Sequence, residues 1–141
     1  IMNKKQKSLT NKGFSLVELI IVIAIMAVLV GVLAPQFLKY VEQSRKSKDI
    51  QAASSLQTAY LTDIADSEIT GTATQKEIAA AVDLPSTVSE VPTVAGTETG
   101  TESHFFVTYD ANAGTCSVFV KVGATFYNLT DATDAATYKG L

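Results

Sequence analysis

One carboxylate stands alone in an apolar run. Residues 14–34 are 21 positions that carry a single charged side chain, Glu18. At about 1.5 Å per residue they reach about 31 Å as a helix, enough to cross the hydrocarbon layer of a bilayer. A plain membrane anchor would explain that length, but it would not explain Glu18. A carboxylate inside a membrane helix costs on the order of 3 kcal/mol, so it is a functional group by default. It lies four residues after Phe14, about 6 Å along the axis and near one end of the span. The chemistry open to it there is hydrogen bonding or charge pairing. The amides of a first helical turn lack partners within the helix and sit at the positive end of its dipole.

The other reactive side chains offer little. His104 is the only histidine, which excludes histidine-based triads and multi-histidine metal sites; it is expected to be exposed and idle. Cys116 is the only cysteine. No intramolecular disulfide can form, and its alternation with valines marks a buried structural thiol. Asp63, Asp66 and Glu68 form one acidic group and Asp131 with Asp134 another. Neither follows the spacing of a calcium loop. Asn128-Leu129-Thr130 fits a glycosylation triplet by chance, within an expected strand. No glycine-rich phosphate loop or catalytic pair is present. The chain is therefore expected to be no enzyme, with no catalytic residue, metal or cofactor.

The conspicuous punctuation precedes the apolar run. A secretory signal carries its cleavage site after the apolar region, but here that region is followed by Pro35 and no small-residue site. Before it stand four lysines, Lys4, Lys5, Lys7 and Lys12, then Gly13 and Phe14. The stretch Lys12-Gly13-Phe14-Ser15-Leu16-Val17-Glu18-Leu19-Ile20-Ile21-Val22-Ile23-Ala24-Ile25 resembles the class III signal of type IV prepilins and pseudopilins. The likeness covers about the first 45 residues. It is specific because basic leader, glycine, phenylalanine, one glutamate at a fixed offset and an unbroken apolar run coincide.

The resemblance implies a course of events. A membrane aspartyl prepilin peptidase would cut between Gly13 and Phe14, and the new Phe14 amine would be N-methylated. Residues 1–13 would be the leader, 14–38 the membrane-spanning and polymerising half of a long helix, and 39–141 an exported globular domain. The free amine, which ordinarily titrates at about pH 7.7–8, could pair with Glu18 of a neighbouring copy. Glu18 could equally serve its own first turn; the resemblance favours the pairing between copies. A pair of this kind sets register, since a wrong register buries an unpaired charge. The implied product is a homopolymer, a type IV pilus built by an assembly platform in the inner or cytoplasmic membrane and displayed at the surface for adhesion or motility. The chain would be its major pilin. The alternative is a pseudopilin of a type II secretion or DNA-uptake system. Some major pseudopilins bind calcium near their C-termini, which keeps Asp131 and Asp134 in view. Many pilins close a C-terminal loop with a disulfide; this sequence departs from that pattern, so its strand ends must be held otherwise.

The elements that would position these groups follow from periodicity. Residues 14 to about 66 read as one helix, about 80 Å long. Its second half carries Ile50, Ala53, Leu56, Tyr60 and Ile64 at spacings of three and four, an apolar stripe with Lys46, Asp49 and Asp63 assigned to the opposite face. Pro35 removes the bond to Gly31 four residues back, so Gly31 to Pro35 is the expected weak point. Thr74-Gln75-Lys76-Glu77 reads as a capping box opening a short helix through Val82. Residues 85–103 read as an exposed, mobile loop. Residues 104–110, 115–122 and 125–130 read as strands of an antiparallel meander. The fold class is α+β: a long N-terminal helix packed in its second half against a small antiparallel sheet of about three strands. From Asp49 onward there are twelve acidic and three basic residues. A basic head and an acidic body place the body on the exported side. They also argue against nucleic acid as a partner.

Overall fold

The computed structural model describes residues 13–141; the leader lysines Lys4, Lys5, Lys7 and Lys12 lie outside them. The elements are a helix α1 (Leu16–Ala65), strand β1 (Thr72–Glu77), strands β2 (Thr101–Asp110), β3 (Thr115–Val122) and β4 (Thr125–Asn128), and a short helix α2 (Ala132–Lys139). A single 3-10 turn, Ala81–Asp83, lies between β1 and β2. The chain divides into two units between Lys39 and Tyr40.

In the first unit, α1 carries its apolar side chains in the open. Leu16, Ile20, Ile25, Leu29, Leu33 and Phe37 are each at least half exposed. By length and composition this helix can cross a membrane. It is continuous through Gly31 and Pro35.

The second unit has the α+β character expected, with four strands instead of three. The sheet is an antiparallel meander in the order β1-β2-β3-β4. Phe105 pairs with Val120, Val107 with Val118, and Tyr109 with Cys116 across β2 and β3. The strands' period of two sends these residues to one face. There they meet Ala53, Leu56 and Tyr60 of α1 in a single core. The outer face carries Phe106, Phe119 and Phe126, packed edge to face with ring centroids 5.2 and 6.5 Å apart.

Three expectations are corrected here. The capping box at Thr74 opens no helix; those residues are β1, paired with β2. So short a segment cannot hold itself as an isolated helix, and of residues 78–82 only Ile78 is buried. As a strand, the segment satisfies its backbone on β2, and the Ile78 amide donates to the Phe105 carbonyl at 2.8 Å. A bulge between Ala73 and Lys76 interrupts the ladder, with Gln75 at φ 46°.

The second correction concerns Lys46, Asp49 and Asp63, which are buried with the apolar stripe. Their positions continue its spacing of three and four, so they share its face. The third follows from them. The segment read as an exposed loop is laced along α1 by carboxylates. Asp63 accepts from the Ser86 amide at 2.6 Å and from its hydroxyl at 2.8 Å. Asp49 accepts from the amides of Ala95 at 2.6 Å and Gly96 at 2.9 Å. Glu42 accepts from the Thr97 amide and hydroxyl, both at 2.6 Å. The loop therefore runs antiparallel to the helix, and each carboxylate satisfies amides that have no strand partner.

The C-terminal residues close the same network. Asp131 caps α2, accepting from the amides of Thr133 and Asp134. This places Tyr138 in the core, fully buried, with its hydroxyl donating to Asp49 at 2.7 Å. Gly96 is required beside them, since a Cβ there would collide with the Tyr138 hydroxyl. Lys46 lies over the Tyr138 ring, with Nζ 3.5 Å from Glu98 and 3.4 Å from the Leu141 carbonyl. Held without a disulfide, the C-terminal residues depend on one helix face.

Two outcomes are expected. Asp49→Ala leaves two amides and a buried hydroxyl without an acceptor and should destabilise the domain by about 3 kcal/mol. Asp49→Asn keeps one acceptor oxygen and should lose less. Urea unfolding of the detergent-solubilised full chain, followed by near-ultraviolet circular dichroism, measures both. The second outcome is a pH dependence. Partial burial raises the Glu42 pKa, but the hydrogen bonds from Thr97 and the charges of Lys46 and Arg45 outweigh it and hold it below the ordinary value. A carboxyl depressed on folding contributes stability that is fully present above its unfolded pKa and lost as pH falls through the folded one. Protection of the Thr97 amide against hydrogen exchange, corrected for intrinsic rates, should be flat from about pH 8 to 6 and fall below about pH 4.

Candidate processing and assembly site

The start of α1 is built from Gly13, Phe14, Ser15 and Glu18. Gly13, Phe14 and Ser15 are not helical, and the helix begins at Leu16. The Glu18 amide donates to the Ser15 hydroxyl at 3.2 Å, and the Ser15 amide donates to a Glu18 carboxylate oxygen at 2.9 Å. This is a reciprocal capping box, satisfying two amides of the first turn. The Glu18 carboxylate thus takes the first of its two sequence-level options, service to its own helix end, where the dipole also favours it. Ser15 escaped the sequence reading although Ser-x-x-Glu spacing is the signal for this motif.

The junction upstream is open. Phe14 is 90% exposed. A Cβ added to Gly13 meets nothing within 4 Å, and Gly13 is not among the positive-φ residues. Nothing in the described fold requires glycine there. A requirement for glycine has to come from whatever binds the junction.

The remaining candidates are structural. His104 is not idle: its Nδ1 lies 2.9 Å from Glu77 Oε1, across β2 and β1. Cys116 is buried as expected, and burial pushes its thiol up to about 11. It is therefore a thiol and not a nucleophilic thiolate near neutral pH. Asp63 is committed to Ser86, while Asp66 and Glu68 are exposed. Asp131 is the α2 cap, and Asp134 accepts from the Asn128 amide at 3.2 Å. Among the described residues, no group of three or more His, Cys, Asp or Glu is placed to hold a metal ion. Gly31 and Pro35 lie on α1 with the apolar surface and not with the cap.

Comparison with known proteins bears on this helix. Residues 9–34 match the prokaryotic N-terminal methylation motif. Over 60 residues the chain is 37% identical to the type IV major fimbrial protein FimA of Dichelobacter nodosus. The N-terminal segment of the chain is type IV pilin-like. The matched stretch covers 43% of this chain and 38% of that relative. No solved structure matches it. The methylation motif spans Gly13, Phe14, Ser15 and Glu18.

The open glycine yields a test. Gly13→Leu should leave the fold intact, because a Cβ at this exposed position meets nothing within 4 Å, yet leader removal should fail. Precursor should then accumulate in the membrane fraction, read as a mass shift of the leader on immunoblots. Normal maturation of the variant would show that the glycine is not read by a partner.

Proposed function

We propose that this chain is the major structural subunit of a type IV pilus. It would be cut between Gly13 and Phe14 by a prepilin peptidase that also methylates the Phe14 amine. Polymerisation would then proceed through α1. The observation that carries this reading is a helix whose first half keeps its apolar side chains exposed and holds its single carboxylate, Glu18, in the N-terminal cap, next to an open glycine-phenylalanine junction. An exposed apolar surface of this length needs a partner that hides it from water. A bilayer supplies one before assembly, as a single-pass membrane precursor, and other copies supply one afterwards, in a surface filament drawn from the membrane by an assembly platform.

Glu18 links the two states. In the precursor its partner is the Ser15 amide. Cleavage creates an ammonium on Phe14, one residue before that amide. In a filament, the Phe14 ammonium of an incoming copy meets a carboxylate already held in position, and the pair fixes the stagger between helices. Gly31 and Pro35 mark where α1 can bend on packing, since Pro35 has no amide to donate to the Gly31 carbonyl. The major fimbrial role is the one that the printed name of the Dichelobacter relative carries.

Replacing Glu18 with alanine removes the cost of a carboxylate in the span, so membrane insertion should be as good or better. Assembly should fall sharply, since one side of a buried pair is lost, a deficit of about 3–5 kcal/mol. Subunit should therefore be normal or raised in membrane fractions and scarce in filaments sheared from the surface. Electron microscopy of the wild-type shear fraction, with mass spectrometry of its main subunit, tests the reading itself. Long filaments with an N-methylated Phe14 terminus support it. Short periplasmic filaments supporting secretion or DNA uptake would assign the chain to the pseudopilins.

A further inference from the structure

We propose that Ser15 is a positioning residue for leader removal: its cap ends α1 just after Phe14 and keeps the Gly13–Phe14 peptide bond out of the helix. This rests on the reading that this bond is the one cut. The argument starts from competition for one amide. In a helix continued upstream, the Glu18 amide would bond to the Phe14 carbonyl and the Val17 amide to the Gly13 carbonyl. In the structure the Glu18 amide goes to the Ser15 hydroxyl at 3.2 Å, and the first intrahelical bond recorded at this end runs from Leu19 to Ser15, at 3.1 Å. The cap thus replaces the bond that would draw Phe14 into the helix.

Hydrolysis needs that freedom. Water adds to the Gly13 carbonyl carbon and the bond to the Phe14 nitrogen breaks. That nitrogen takes both of the water's protons, leaving a Gly13 carboxylate and a Phe14 ammonium. The carbonyl oxygen must be free to meet the peptidase's own donors as charge develops on it. A carbonyl already bonded within a helix is not. Gly13 acts in the same direction, disfavouring helix. Without Ser15, the next residues of N-cap type are Gly13 and Asn11, and a helix capped at Gly13 already engages the Gly13 carbonyl. A helix capped at Asn11 would run through Gly13 and Phe14.

Ser15 and Glu18 then divide two tasks. The Ser15 hydroxyl governs the helix start. The Glu18 side chain supports the cap through the Ser15 amide, which any acceptor oxygen can do, and supplies the charge, which only the carboxylate can.

The test uses full-length precursor in vesicles with a prepilin peptidase, following initial rates of leader release across substrate concentrations. Ser15→Ala should raise KM two- to fivefold with little change in kcat, since loss of an N-cap populates the helical, uncleavable form before binding. Ser15→Thr and Ser15→Asn, which keep a capping oxygen, should restore the wild-type KM. Ser15→Ala with unchanged kinetics would overturn the proposal. So would a defect shared by the alanine, threonine and asparagine variants, which would mean that the peptidase reads the serine side chain directly. Wild-type precursor that is not cut at Gly13–Phe14 would instead overturn the underlying reading, whatever the variants do.

Discussion

The globular domain turns on Asp49. Two loop amides and the hydroxyl of Tyr138 converge on its carboxylate. The group is almost fully buried and three different parts of the chain depend on it. Burying a carboxylate is costly unless it is hydrogen-bonded, and here three donors replace its water. With Glu42 seven residues before and Asp63 fourteen after, it forms a ladder of acceptors along one face of α1. The ladder converts a loop poor in large apolar groups into a fixed cover for the core. It also does what a disulfide would do for the C-terminal end, since Tyr138 enters the core beneath it.

Much of this was legible in sequence, and the failures share a cause. The stripe of Ala53, Leu56, Tyr60 and Ile64, the switch to strands and the buried register of Cys116 all rest on local periodicity, which the chain obeys. Asp49 and Asp63 were misassigned because polar residues default to solvent. Their role as acceptors depends on a loop that returns some 23 to 47 residues later. β1 was misread because a capping box is a local signature while pairing with β2 is not. The cap of α2 was written in Asp131 and Asp134 but resembled an acidic group. At the candidate site, Glu18 was singled out by its cost, whereas Ser15 is cheap and polar at a helix start, and its role appears only when the two are taken together.

The start of α1 is economical because one carboxylate has two successive kinds of donor available. An amide holds it in the structure; on the processing proposed above, an ammonium would become available once the bond before Phe14 is broken. The exchange needs no rearrangement of the helix, only the arrival of a stronger, charged donor. On that proposal, the same residues that terminate the helix would mark where the chain is cut.

The bulge in β1 acquires meaning from the same setting. In the filament proposed above, each copy would present its neighbours with an open sheet edge. A regular edge would template strand exchange or side-by-side fusion of domains. Gln75, with its left-handed backbone and its amide turned to the Thr108 hydroxyl at 2.9 Å, breaks the even row of donors and acceptors. Lys76 is drawn aside to Asp83 at 2.9 Å. The edge thereby becomes a poor template for another strand.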